Sequence, residues 1–400
     1  MRSKPTILLV MHTMPLDSGF LAAKFIKLSE HLKVHLLIWD DVNNINNFIR
    51  ANKLSQEYKK RIHSGYTKGN AVASMLQWIS CFFTSKVMRK YILHGNGSRI
   101  ERIKYTLTYL PIIYVQPDVV HFEFGTIAKK GVAIRTFTDA KLSVSFRGYD
   151  LNYAGIDNEN YYKDVWENMD GFHFLGQDLK NRAIARGYKT NKTEALIPPG
   201  IDVGFFSPTY EIKQTDKLQL ISVGRLVWKK GYEYAIRAIA LLKQKGISFE
   251  YKIIGEGNHR QALEYIIKES GLENEVKLLG EQDRELVKSE LAQAHIFIHP
   301  AISEGFSNAV LEAQAMALPI ICTDADGLSE NITDGETGYI VPKWNEQAIA
   351  EKIEMLWSNK SHLTEMGNAG AARVQQHFTI EKQMTAFIAF YHQLSDAVRS

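Results

Sequence analysis

Cysteine is nearly missing from this chain: the 400 residues hold two, Cys81 and Cys322. Two thiols exclude a disulfide-stapled scaffold, and each reads as a small buried hydrophobe in a protein of a reducing cytoplasm. Long apolar runs are absent too; no stretch reaches the ~20 apolar residues that a membrane-spanning helix needs. Arg2-Ser3-Lys4 followed by Ile7-Leu8-Leu9-Val10-Met11 imitates a leader, but the run stops at His12 without a small-residue cleavage site, which predicts a first buried strand instead. No tandem repeat or low-complexity tract is present. Gly255-Glu256-Gly257-Asn258-His259-Arg260 lacks the third glycine of a dinucleotide fingerprint, which argues against a nicotinamide-dependent dehydrogenase.

The length exceeds one comfortable core, so two domains of roughly 200 residues are expected. Short apolar runs alternate with helical patterns, as in parallel sheets covered by helices on both faces. Strands are predicted over 6–11, 34–39, 119–122, 142–146 and 171–175, then over 218–223, 248–254, 276–279, 296–299 and 320–322. Two doubly wound α/β units follow, joined where Pro198-Pro199-Gly200, Asp202 and Pro208 gather turn-forming residues.

Charge divides along the same line. Residues 1–205 carry 28 Lys and Arg against 18 Asp and Glu, whereas 206–400 carry 20 against 26. Ten of the front cations lie between Tyr58 and Lys104, where Glu101 is the one acid. Within that stretch Met75, Trp78, Ile79, Phe82, Phe83, Val87 and Tyr91 recur at helical spacing, which predicts one amphipathic helix. Two roles stand for it: lying in the headgroups of an anionic membrane, or packing on the first sheet with its lysines solvated. No nucleic-acid motif accompanies the cations, so nucleic acid is not an expected partner.

Chemistry concentrates in Ser303-Glu304-Gly305-Phe306-Ser307-Asn308-Ala309-Val310-Leu311-Glu312. Ser307 or Asn308 can cap a helix whose first N–H groups then face a loop of small residues, a site suited to a diphosphate. Glu304 in the loop and Glu312 one turn into the helix are pure acceptors, able to hold donor-sugar and ribose hydroxyls. A capped surface helix with two solvated glutamates is the plain alternative. Upstream, the strand at 218–223 ends in Gly224-Arg225-Leu226-Val227-Trp228-Lys229-Lys230-Gly231. Arg225 and Lys230 at a strand's carboxyl end would neutralise a departing diphosphate without a metal, while Lys229 reads as solvated loop charge.

With these strings in view, the chain resembles the retaining glycosyltransferases of family 4, also called group 1, which have the GT-B fold: two doubly wound Rossmann-like domains facing across a cleft. It is similar to the bacterial exopolysaccharide glycosyltransferases. Pro198-Pro199-Gly200-Ile201-Asp202, Gly224-Arg225 with Lys230-Gly231, Ile254-Gly255-Glu256-Gly257, Leu279-Gly280, the Glu304 and Glu312 pair, and Gly335-Glu336-Thr337-Gly338-Tyr339-Ile340-Val341-Pro342 carry the resemblance. It implies an acceptor domain over 1–203, a nucleotide-sugar domain over 204–378, and a terminal helix over 379–400 that crosses back to the first domain. It further implies that Arg225 and Lys230 hold the donor phosphates, Glu304 the transferred sugar and Glu312 the ribose. Phe306, Ser307 and Asn308 would offer backbone N–H groups, with Gly255 and Leu279 beside the donor. Gly19, in Met14-Pro15-Leu16-Asp17-Ser18-Gly19, resembles the family's glycine-bearing loop; a generic tight turn explains it as well.

The front half departs from the family pattern at two places. Asp118-Val119-Val120-His121-Phe122-Glu123 has Glu123 where a second histidine is common, so either His121 or Glu123 would meet the transferred sugar. Arg147, before Gly148, stands where histidine is frequent; it favours an anionic acceptor or salt-bridges Glu123 and silences it. Asp150 would orient or deprotonate an acceptor hydroxyl, or cap a helix.

The expected reaction moves a sugar from a UDP- or GDP-sugar to a hydroxyl of a glycan or lipid-linked acceptor, with retention and without a cofactor. Asp324-Ala325-Asp326 spells a metal-binding string of another glycosyltransferase fold and is read as incidental. A sugar-nucleotide epimerase of the same fold and a non-catalytic carbohydrate- or membrane-binding protein are the alternatives. The expected location is cytoplasmic, at the inner face of the plasma membrane if the basic front half binds lipid.

Overall fold

The apolar run Ile7-Leu8-Leu9-Val10 is wholly buried in β1 (Thr6–Val10), as a strand covered on both faces requires. The computed structural model of the chain describes residues 4–13, 20–40, 42–65, 71–208 and 216–399. β1 is joined by β2 (Lys33–Ile38), β3 (Ile62–Ser64), β4 (Val119–Phe122), β5 (Lys141–Phe146), β6 (Gly171–Phe174) and β7 (Thr193–Leu196). These seven strands form one parallel sheet in the order β3-β2-β1-β4-β5-β6-β7.

A second parallel sheet follows. Its strands are β8 (Leu218–Val223), β9 (Phe249–Ile254), β10 (Val276–Gly280), β11 (Ile296–His299), β12 (Ile320–Thr323) and β13 (Gly338–Val341), in the order β10-β9-β8-β11-β12-β13. Helices Tyr232–Gln244 and Glu346–Ser358 bury Ile236, Ile239, Ile349 and Ile353 against Leu220, Ile253 and Ile298 of this sheet. In both sheets strand order reverses once, between β1 and β4 and between β8 and β11. The carboxyl ends of strands at such a reversal leave a crevice between outgoing loops, where ligands of open α/β sheets bind.

The chain forms two units, Met1–Ile197 with Met384–Ser400, and Pro198–Gln383. The limits expected at 203 and 378 both fall within the second. Helix Ile380–Arg399 carries the polypeptide back, and Phe390 and Leu394 pack against Gly171 of β6. The single amphipathic helix expected over Met75 to Tyr91 is corrected to two, Ala71–Thr84 and Lys86–His94. Ser85 divides them because its hydroxyl caps the second, accepting from the Met88 N–H at 3.2 Å. Among the described residues no helix is long and apolar enough to cross a membrane.

Candidate functional site

In the second unit the loops leaving β8 and β11 are fastened together. Lys229 O accepts from the N–H groups of Ile302 (2.8 Å) and Ser303 (3.3 Å). Gly231, at φ +63°, lies against Pro300 so closely that a Cβ would enter the Pro300 carbonyl oxygen. The fastening sets the Lys230 ammonium on the Glu304 carboxylate, with His299 Nε2 3.5 Å from the same oxygen. Burial would raise the Glu304 carboxyl, but Lys230 and then His299 outweigh it and hold it well below the usual carboxylate range. Burial pulls Lys229 below its ordinary value, with Lys230 and Arg225 adding to the shift and Glu304 opposing it. Arg225 is exposed and has no ion pair among the described residues. Lys229 thus stands among two further cations, Lys230 and Arg225, and two acids, Glu304 and Asp326, an excess of positive charge at the carboxyl edge of the sheet.

Gly255, at φ +144°, brings the β9 loop onto the Gly224 carbonyl, where no side chain fits. Its N–H donates to Gly280 O at 2.8 Å, which ties in the half-buried Leu279 at the end of β10. Two buried polar atoms in this crevice lack hydrogen-bond partners among the described residues: the Tyr232 hydroxyl, beside Gly224, and His299 Nδ1. Buried groups left in this way fit a polar ligand.

Ser307 caps helix Asn308–Ala315, its hydroxyl accepting from the Val310 N–H at 3.4 Å. The Ser307 N–H donates to Asn331 Oδ1 at 3.1 Å, which corrects the expectation that it is available to a ligand. The N–H groups of Phe306 and Asn308 have no acceptor among the described residues. Glu312 is half-buried on the same helix, and burial raises its carboxyl against the opposing Arg284. Asp324 accepts from the Lys343 N–H at 2.9 Å and Asp326 from the Ser303 hydroxyl. Sequence reasoning set aside Lys229 and missed His299, Tyr232, Arg284 and Asn331. The visible signal for His299 is a polar residue closing the apolar run of β11.

The expected front-half residues lie in the first unit near the β1/β4 reversal, where the Arg147–Glu123 salt bridge and the capping role of Asp150, both open alternatives in the sequence, are present. Glu123 is fully buried between Lys24 Nζ (2.7 Å) and Arg147, which reaches its carboxylate at 3.0 Å and its carbonyl at 3.1 Å. Burial lowers Lys24 to about 8, although Glu123 works to raise it. Its ammonium rests 3.7 Å from the centre of the Phe387 ring.

His121 is also sealed. A direction of donation runs through it: His173 Nε2 must donate to Ile197 O (2.8 Å), so His173 Nδ1 accepts from Ser145 (2.7 Å). Ser145 then accepts from His121 Nε2 (2.8 Å), and His121 Nδ1 accepts from Ser143 (2.9 Å). Burial holds both imidazoles far below their ordinary pKa, in their neutral forms. Asp150 is buried and accepts from the Thr126 and Arg147 N–H groups, each at 3.0 Å. Glu123, His121 and Asp150 thus each have ionic or hydrogen-bond partners within the first unit. Gly19 lies outside the described residues.

Comparison with known proteins accords with this geometry. Residues 209–373 match the family described as "Glycosyl transferases group 1". The amylovoran biosynthesis glycosyltransferase AmsK of Erwinia amylovora is 29% identical over 65% of this chain and 66% of its own length. The putative colanic acid biosynthesis glycosyltransferase WcaL of Escherichia coli K12 is 32% identical over 59% of this chain and 60% of its own. The chain thus spans less than two thirds of the length of these curated relatives. Two solved structures share its fold: the sucrose-phosphate synthase of Thermosynechococcus elongatus (TM-score 0.74, 16% identity, 98% of this chain and 100% of that one) and Anabaena Alr3699/HepE in complex with UDP-glucose (0.73, 14%, 98% and 100%). With strands, crevice and family match in agreement, the chain has the two-domain GT-B fold, and its second unit is similar over residues 209–373 to the group 1 glycosyl transferases.

Proposed function

We propose that the protein transfers a sugar from a nucleoside-diphosphate sugar to a hydroxyl of a glycan or lipid-linked acceptor, in the making of a bacterial surface polysaccharide. The observation that carries this reading is the Arg225, Lys229 and Lys230 cluster set against Glu304 at the β8/β11 reversal. Cations there stabilise the leaving diphosphate as charge develops on it, which lowers the barrier to an oxocarbenium-like transition state. Glu304, kept ionised by Lys230 and His299, accepts from hydroxyls of the transferred sugar; Glu312 accepts from the ribose. In this reading the cations do the work of a metal, and the anomeric centre is retained. The names of the curated relatives support surface polysaccharide as the product class. The Anabaena relative's complex with UDP-glucose makes uridine the first base to try.

The test is binding and hydrolysis of uridine, guanosine and adenosine diphosphate sugars by wild type beside Glu304→Ala. One preferred donor, cleaved by wild type and spared by the variant, is the expected result. A donor isomerised without a new glycosidic bond would replace the reading with an epimerase, and failure to bind any donor would refute it.

A further inference from the structure

Helix Ala71–Thr84 contains no charged residue. One side packs inward through Ser74 and Cys81, and Trp78 Nε1 donates to Thr106 Oγ1 at 2.8 Å. The other side presents Val72, Met75, Leu76, Ile79 and Phe83 to solvent, with Leu76 65% and Phe83 68% exposed. Their spacing of three and four residues makes a continuous stripe along the helix. Val87, at the start of the next helix, is exposed too. A stripe of this kind on a folded chain marks a contact surface.

The surrounding charge identifies what the stripe meets. Helices Lys86–His94 and Arg99–Thr108 pack against it and carry Lys86, Arg89, Lys90, Arg99 and Lys104 in contact with solvent, against Glu101. The Arg89 guanidinium donates to Phe83 O at 3.1 Å, so a cation stands at the end of the stripe beside its most exposed aromatic. Two copies meeting through this face would bring like charges together. A bilayer of net negative charge takes both components, the apolar side chains below the headgroups and the cations on their phosphates.

We infer that Ala71–Thr84 docks the protein on an anionic membrane, with Leu76 and Phe83 inserted and Lys86, Arg89 and Lys90 on lipid phosphates. This deepens the proposed function, resting on it only for the statement that the acceptor is carried by lipid. Docking holds the first unit at the surface where such an acceptor is presented.

The experiment is flotation of the full chain at low salt with phosphatidylcholine vesicles, with and without phosphatidylglycerol. Wild type is compared with Leu76→Ser/Phe83→Ser and with Lys86→Gln/Lys90→Gln, all exposed sites whose thermal melts should match wild type. Wild type should float with phosphatidylglycerol alone. The apolar pair should lower binding about tenfold or more, and the cation pair about thirtyfold. No flotation of wild type, or flotation unchanged in the apolar pair, overturns the inference. So does a lipid-free dimer that the apolar pair abolishes, because a second copy is then the occupant. Donor binding in lipid-free buffer separates the two readings: donor bound without flotation refutes the docking alone, and flotation without donor binding refutes sugar transfer alone.

Discussion

Glu123→Gln should be among the most damaging single changes in the first unit, and Lys24→Met, at its salt-bridge partner, nearly silent. The asymmetry follows from the count of charges: one carboxylate serves two cations, at 2.7 Å and 3.0 Å, with Glu123 and Lys24 both within 1% of complete burial. Glutamine keeps the volume of Glu123 but leaves the Lys24 ammonium buried beside Arg147 without the carboxylate that separates them. Removing one partner from a buried pair costs about 3–5 kcal/mol. Methionine at Lys24 leaves Glu123 matched by Arg147 and removes an ammonium whose burial is itself unfavourable, at a cost near 1 kcal/mol or below. For a unit of this size each kcal/mol moves the melting temperature about 2–4 °C. Scanning calorimetry of the full chain should show a drop of about 10 °C for Glu123→Gln and about 3 °C or less for Lys24→Met, with the double variant recovering part of the loss. Equal losses in the two single variants would refute the reasoning. A catalytic Glu123 would show the opposite pattern, with turnover lost and melting kept.

Two further outcomes are expected. Gly231→Ala should weaken donor binding by about tenfold or more, since a Cβ there displaces the loop that sets Lys230 on Glu304; Gly246→Ala, also at positive φ but in open space, should cost about 1 kcal/mol of stability and leave binding unchanged. Titration calorimetry on both variants decides it, and equal affinities would count against the fastening. The second concerns acid. His35 Nδ1 and His63 Nε2 lie 2.8 Å apart with stacked rings, and burial, the largest cause, lowers each to about 4 from the ordinary 6.5. Between those values the unfolded chain binds more protons, so stability is full above about pH 6.5 and falls by roughly 2 kcal/mol toward pH 4, after allowance for solvent screening. Urea unfolding across that range should show a shallower slope in His63→Phe; His121 and His173 push the same way, so some slope remains.

The strands that sequence reasoning missed are β3, β7 and β13, and all three lie at sheet edges. Thr193-Glu194-Ala195-Leu196 has no fully buried position, so it lacks the apolar run that announces a central strand such as β1. Ser85 shows a different limit: helical periodicity runs on across Phe83 and Val87, and only a capping hydroxyl ends one helix and begins another. At the crevice of the second unit, the grouping of Glu304 with Lys230 was legible because glycines and charges cluster within short strings. His299 and Tyr232 were not, because each sits at the edge of an apolar element and is orphaned only once that element is folded. In the first unit the residues named for chemistry are polar residues near strand ends, but their side-chain partners lie 22 to 99 positions away in sequence. Lys24, which occupies Glu123, falls among the core residues Ala22, Phe25 and Leu28, a placement that only a buried acid can reconcile.

The returning helix has a consequence for the order in which the protein is completed. Phe387 and Tyr391 cover Lys24, His121 and His173, yet they follow the whole of the second unit in sequence. Until that helix arrives, the ion cluster of the first unit lies open to water, while Pro198–Gln383 already holds the crevice residues Arg225, Lys230, His299 and Glu304. The first unit is thus begun before the second and finished after it, and a nascent chain halted before Met384 would carry a completed second unit on an unsealed first one.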